Sequence, residues 1–300
     1  MKKFSLFVFC IAFVFAAGAQ NNFLLYSFKG NVTVIENNTE SKAKVGRAMG
    51  PASTIKIAPG AVVTLICNEA AMFTISKAGS YALRSFGDSC KVSSNSITAN
   101  YVKYVWASMT KTGEAPGSNR KAYMNTVGAV SRSINNIWID PRLDTVNFSG
   151  AGGEFPLSWK SYTEAKEFEF KIYEATNLNS PVFSSIVTKM KIPISFFASK
   201  LTAGRSYLWT VAVRGEENQE MKVLNYVSKE TAAAFMAGLK SQTTGFEASA
   251  EESYRMGFMM EDAHYLPEAW QYYSKAATAD ASNVLYRSTL MSFKKDYEIK

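Results

Sequence analysis

Apolar positions along this chain follow two rhythms, and the places where one replaces the other divide it into segments. Between residues 24 and 92, short β-branched or aromatic runs at 31–35, 54–57, 61–66, 72–75 and 81–83 are separated by Gly30, Asn37-Asn38, Pro59-Gly60, Asn68-Glu69 and Ala78-Gly79. Such spacing predicts short antiparallel strands joined by tight turns, folded as a small sandwich or barrel. At residues 96–110 the period lengthens: Ile97, Tyr101, Val105 and Met109 recur every four residues, which predicts a helix. One face of that helix needs a cover, and the β module before it is the expected one.

A breaker-rich stretch from Thr112 to Asn119 reads as a linker, after which alternation of period two returns. Strands are predicted at 155–159, over Phe168-x-Phe170-x-Ile172, at 182–187, and over Tyr207-x-Trp209-x-Val211-x-Val213. In the last of these, period two places Tyr207, Trp209, Val211 and Val213 on one buried face and Leu208, Thr210 and Ala212 on the other. The final 70 residues are predicted helical. Ser249-Ala-Glu-Glu252 forms a capping box, Pro267 suits a first turn, and Asn283 suits an N-cap.

The start of the chain sets the expected compartment. Lys2 and Lys3 precede an apolar run over residues 4–15, and Ala17-Gly18-Ala19 supplies a small-x-small cleavage site before Gln20. This is the pattern of a Sec-type signal peptide, and the run is shorter than the roughly 20 residues that span a bilayer. The mature chain is therefore expected in the periplasm or beyond, in a Gram-negative envelope. Cys10 leaves with the signal, so Cys67 and Cys90 remain as one pair, open to a disulfide or to two buried thiols.

The fold class expected is mainly β in the N-terminal and middle modules, with an all-α C-terminal segment. The expected organisation is a signal at 1–19, a β module with its trailing helix at 20–112, a linker at 113–136, a β-sandwich at 137–227 and a helical module at 228–300. Charge is unevenly shared, +6 over residues 20–113, +2 over 114–228 and −2 over 229–300. The basic first module suits peripheral contact with an anionic membrane surface, but pI 9.2 without a basic run interleaved with aromatics reads first as a solubility property. Nucleic acid is not an expected partner.

Three resemblances accompany these patterns. Gly30-x-Val32-x-Val34, the Lys/Arg-containing segment through Gly46, residues 59–65, Phe73 and Gly79-x-Tyr81-x-Leu83 together resemble the FecR-type periplasmic β domain over about 60 residues. That likeness implies a ligand-sensing module acting with a transmembrane partner, although the cytoplasmic arm and span common in that family are not expected here. Leu201-x-x-Gly204-x-x-Tyr207-x-Trp209 resembles the tyrosine corner of fibronectin type III and related Ig-like sandwiches, which implies a Tyr207 hydroxyl bonded back to the upstream backbone. Gly257, Ala269, Tyr273 and Ala276, spaced by 12, 4 and 3, resemble the tetratricopeptide repeat, with Ser253 and Ala281 standing where Trp and Pro are usual. The resemblance implies small residues at a close helix crossing and an aromatic filling the gap.

A single repeat cannot bury its own faces, so it is expected to stack on a helix at 228–241, on one at 284–297, or on another chain. Part of that surface, with Met259, Tyr265, Trp270 and Tyr272, is the candidate partner-binding site. Core packing is the expected role of each of these residues taken singly, as it is for Trp159 and Trp209, whose other reading is a sugar-stacking platform.

Catalytic chemistry lacks a foothold in the sequence. The one histidine, His264, falls in a turn beside Asp262 and pairs with no Ser or Cys by any motif. Gly150 to Gly153 lacks the strand-to-helix setting of a phosphate loop. Asp140, Asp144 and Glu154 lack the ligand spacing of a calcium loop. No catalytic residue, metal site or cofactor is expected, and the predicted function is that of a non-enzymatic envelope adaptor that binds envelope proteins. A FecR-like ligand-sensing regulator is the alternative. The oligomeric state stays open.

Overall fold

The computed structural model describes residues 22–90, 97–110, 120, 136–150, 153–242 and 246–299. The expected signal peptide, and all of the expected linker except Arg120 and Asn136, lie outside them. Strands occupy the N-terminal and middle parts, and helices occupy the C-terminal part. Two compact units result: residues 1–95 with 244–248, and residues 96–243 with 249–300.

The first unit stacks two four-stranded antiparallel sheets. One has the order β4 (Ala48–Met49), β1 (Phe23–Lys29), β6 (Val62–Cys67), β7 (Ala71–Ile75), and the other β3 (Thr39–Lys42), β2 (Val32–Glu36), β5 (Thr54–Ile57), β8 (Gly79–Ala82). Strand alternation sends Phe23, Leu25, Val63 and Leu65 of one sheet and Val32, Val34, Ile55 and Ile57 of the other into a shared core. Asn37 and Asn38 both take left-handed backbone between β2 and β3, with φ of 50° and 61°. Both central residues of a two-residue hairpin turn need that conformation, and asparagine tolerates it. Cys67, at the end of β6, is disulfide-bonded to Cys90 at the end of a 3-10 helix over Leu83–Cys90, with Cα atoms 5.3 Å apart. β1 escaped the pattern reading because it does not alternate: its first five residues are buried on both faces. The outer face of its sheet is met by residues 246–247 of the same unit, where the Thr64 hydroxyl donates to the Phe246 carbonyl at 2.8 Å and the Tyr26 hydroxyl to Glu247 at 3.2 Å.

The second unit contains a five-stranded sheet in the order β10 (Thr145–Ser149), β17 (Lys222–Val227), β16 (Arg205–Val213), β13 (Phe168–Glu174), β14 (Phe183–Val187). Its pairings are antiparallel except β10 with β17. The predicted strand at 155–159 is divided at Trp159. β11 (Pro156–Ser158) pairs with β15 (Lys191–Pro193), and β12 (Lys160–Ser161) pairs with β9 (Ile137–Trp138). Trp159, Phe170 and Trp209 pack ring on ring with centroids 5.6–6.1 Å apart, and neither indole presents the open face a sugar would need.

β16 differs from strict alternation. Thr210 and Ala212 are buried with the opposite face, because the loop after the strand folds back: Asn218 Nδ2 donates to Val211 O at 2.8 Å and Thr210 Oγ1 to Asn218 O at 3.3 Å. At the entry to β16 the Thr202 N–H donates to the Tyr207 hydroxyl at 2.8 Å, and that hydroxyl donates to Thr202 O at 3.3 Å.

The same unit contains α1 (Ile97–Thr110), α2 (Lys229–Ser241), α3 (Ser249–Asp262), α4 (Leu266–Ala279) and α5 (Val284–Asp296). Pro267 lies in the first turn of α4, and the Asn283 side chain accepts from Leu285 N at 3.0 Å to cap α5. α3 begins at Ser249 itself, whose carbonyl accepts from the Ser253 hydroxyl at 2.7 Å. The expected cover for α1 was the β module before it. The rings of Tyr101 and Tyr104 instead pack on Phe258 of α3, with centroids 5.5 and 5.0 Å away, and the helix is buried nearly all round. Four-residue periodicity finds a buried stripe but carries no information about which element covers it.

Candidate partner-binding surface

α3 and α4 form the tightest helix pair. Gly257 of α3 faces the ring of Tyr273 on α4, and Ala269 and Ala276, spaced one turn to either side, are fully buried. Small residues let the two backbones approach, and the aromatic fills the remaining gap.

α2 lies across this pair. It buries Ala232 and Leu239 and half-buries Phe235 and Met236, which recur at three and four residues along one narrow face. Its opposite face, with Ala233, Ala234 and Ala237, is exposed. Phe235 stacks on Tyr265 with centroids 5.1 Å apart and 17° between planes, and the Tyr272 hydroxyl lies 3.7 Å from Met236 Sδ. Arg255 of α3 donates through Nη1 to Leu239 O at 3.0 Å, in the last turn of α2, where a cation suits the unpaired carbonyls of a helix end.

The four residues singled out from the sequence therefore have unlike environments. Met259 is fully buried and Tyr265 nearly so, the latter under α2. Tyr272 is half-buried against α2, and Trp270 is half-buried on α4. Arg255 was not legible as a participant, because an arginine on a predicted helix reads by default as solvent-facing.

Behind this surface lies a buried ionic cluster. Arg120 is paired with both Glu261 of α3 and Asp296 of α5, and its guanidinium lies 5.5 Å from the centroid of Phe293. Arg142 bridges Asp296 at 2.9 Å and Asp140 at 2.5 Å. The hydroxyls of Tyr273 and Tyr297 donate to the two oxygens of Glu261 at 3.0 and 3.3 Å. Burial pushes the Tyr297 phenol up to about 12. Burial alone depresses the Arg142 guanidinium, but Asp140 and Asp296 together outweigh it and raise it above its ordinary value. A second cluster is uncharged: the Tyr254 hydroxyl donates to Tyr104 Oη at 2.8 Å, and Thr289 Oγ1 lies 2.9 and 3.0 Å from the two phenols. These polar groups hold α1, α3 and α5 in one arrangement, since separating any pair would leave a buried group without its partner.

The turn between α3 and α4 attaches the helices to the sheet. His264 is in that turn with φ of 61°, and its carbonyl accepts from Asn147 N at 2.8 Å. Glu268 Oε1 accepts from both Ser149 N and Ser149 Oγ, at 2.8 and 2.7 Å. The free edge of β10 is thereby sealed by a helical turn. Burial raises the Glu268 carboxyl, and the bonds from Ser149 only partly offset it; burial raises Asp262 as well, with His264 opposing.

Asp140, Asp144 and Glu154 do not converge: their partners are Arg142, Lys222 and the Ser195 hydroxyl. Gly150 and Gly153 take left-handed backbone between strands β10 and β11. The chain matches no family model and no curated protein.

Proposed function

We propose that this chain is an exported, non-enzymatic adaptor of a Gram-negative envelope, in which two β-rich modules present a helical layer to partner proteins. The observation that carries this reading is the way α2 lies on α3 and α4. A narrow apolar strip of one helix packs on two others, and its outer face of small residues is left exposed. Helix-on-helix surfaces of this kind receive partner helices or peptides. Support for an exported location comes from the N-terminal signal pattern and from the Cys67–Cys90 disulfide, which suits an oxidising compartment.

In finer terms, the first unit is read as a FecR-type β domain and residues 137–227 as a fibronectin III or Ig-like sandwich, the latter favoured by the Tyr207–Thr202 bonds. The α3–α4 pair is read as a single tetratricopeptide-like repeat, favoured by the Gly257–Tyr273 contact. Ligand sensing with a transmembrane partner is a second reading. A surface groove of about 490 Å³ beside Thr33, Glu40, Lys56 and Pro59 in the first unit favours it.

A photo-crosslinking residue at exposed Ala237 or Met291 should give discrete adducts with envelope proteins in intact cells, whereas one at exposed Tyr162 should not. No adduct from any exposed position on α2, α4 or α5 would overturn the adaptor reading. Recovery of a mature chain beginning elsewhere than near Gln20, or in the cytoplasm, would remove its envelope location.

A further inference from the structure

Residues 175–215 contain five Lys or Arg and no Asp or Glu, in a chain with 25 acids among 300 residues. They include β14, and among the described residues no element pairs with the outer side of that strand. Exposed apolar side chains gather in the same stretch. Of the eight large hydrophobic residues exposed among the described residues, Leu178, Val182, Ile186, Met190 and Phe196 lie on β14 or in the segments beside it. Phe196, 59% exposed, packs edge-on against Phe183 of the strand, with centroids 6.1 Å apart. Patches of this kind mark surfaces that meet a protein or a membrane.

The charge around these side chains is mostly of one sign. Arg205 and Arg214 are neutralised at the margins by Glu174 and Glu167, and Lys171 by Glu169. Lys189 and Lys200 are exposed, and among the described residues neither has an ion pair. Lys191 Nζ donates to the neutral Glu298 carbonyl at 2.7 Å. That bond brings the end of α5 alongside, with Lys294 and Lys295, which likewise lack an ion pair among the described residues. Two acids oppose the five lysines: Glu298, and Glu154, which accepts from the Ser195 hydroxyl next to Phe196 at 3.1 Å. A positive surface therefore surrounds the exposed apolar side chains, and it selects a negative one.

We propose that this edge docks on the anionic surface of a lipid bilayer, with Ile186, Met190 and Phe196 at headgroup depth and the lysines on anionic headgroups. The apolar side chains stand at both ends of β14, on its outer face, and on the separate turn that carries Phe196. A fluid interface accepts such a spread without a shape of its own, whereas a second protein would have to match it side chain by side chain. Binding of this type scales with the apolar area buried plus the attraction of basic groups to anionic lipid, and lysine stems reach through apolar surroundings to the headgroups. The depth is limited by the strand itself. Its outer N–H and C=O groups would be costly in hydrocarbon, so the contact stops where water and phosphate oxygens still reach them. The contact belongs to the second unit, not to the basic first module, and it goes beyond the adaptor reading without depending on it.

Flotation of the mature chain with lipid vesicles tests this. Wild type should bind vesicles that contain phosphatidylglycerol, should ignore pure phosphatidylcholine, and should be released as salt screens the lysines. A basic residue near an anionic surface adds about fivefold in affinity, so Lys189→Gln with Lys200→Gln should weaken binding about 25-fold. Met190→Ser with Phe196→Ser removes exposed apolar area and should weaken it about tenfold. Glu154→Gln keeps an acceptor for Ser195, removes an opposing charge, and should strengthen it. Lys42→Gln with Lys44→Gln, at exposed positions of the first unit, should leave it unchanged. A wild type that ignores phosphatidylglycerol overturns the proposal. So does binding that the first-unit pair weakens as much as the edge pair, which would make it a response to overall charge. If wild type leaves vesicles alone but binds a peptide of alternating Val and Glu, and loses it on Lys189→Gln with Lys200→Gln, the edge takes an acidic strand and lipid is the wrong occupant.

Discussion

A Cβ atom added at Gly257 would stand 2.7 Å from Cδ1 of Tyr273, inside any real carbon–carbon contact. The ring cannot retreat, because it is fully buried and its hydroxyl is bonded to Glu261 at 3.0 Å. Gly257→Ala should therefore destabilise the protein by about 1–3 kcal/mol through overpacking. On an open helix the same change would gain about 1 kcal/mol, so the sign of the effect in a urea titration decides whether the crossing is as close as described.

Glu268 gives a pH dependence whose sign follows from burial. Its carboxyl is raised in the folded state, so over the interval between its unfolded and folded values the native chain binds more protons than the unfolded one. Its contribution is thus fully present below the ordinary carboxylate range and is lost as pH rises through the elevated folded value. Glu268→Gln keeps an acceptor for Ser149 and removes the ionisation. Its stability relative to wild type should improve as pH rises above the ordinary carboxylate range. Asp262 is raised as well and acts in the same direction, but it is common to both proteins and cancels in the comparison. Parallel stability–pH curves would show that Glu268 does not ionise at a cost.

Breaking the link between Cys67 and Cys90 should act mainly on the first unit. The bond closes a loop of sequence separation 23, and loops of that order are associated with about 2–4 kcal/mol. Cys67→Ser with Cys90→Ser should lower the thermal midpoint of the β-rich unit in calorimetry. The transition containing the buried Trp159 and Trp209, followed by fluorescence, should move less. Equal shifts in both would mean that the two units unfold as one.

Removal of residues 249–300 should unfold the middle β region as well. Without that segment, Asn147 and Ser149 lose the partners of their edge N–H groups, and Arg120 and Arg142 lose Asp296. Truncated protein should show red-shifted tryptophan emission and rapid proteolysis within 137–227. A truncated chain with native emission would make the middle β region an independent domain and leave the sealing of β10 without energetic weight.

Much of this architecture was legible along the chain because it depends on neighbours. β5, β6, β13 and β16 fall where alternation and turn residues place them, and Pro267 and Asn283 mark the starts of α4 and α5. The close approach of Gly257 to Tyr273 is what the tetratricopeptide resemblance implies, and both residues belong to one helical hairpin. Periodicity reports that a face is buried; what buries it depends on segments far away in the chain. That is why Tyr101 and Tyr104 are covered by α3, 150 residues on in the case of Tyr104 and Tyr254, and why Tyr265 is shut under α2. Arg120 meets Glu261 across 141 residues. Such pairings arise only once the chain has closed its long loops, when a charge already out of water must find an opposite charge that no local pattern announces.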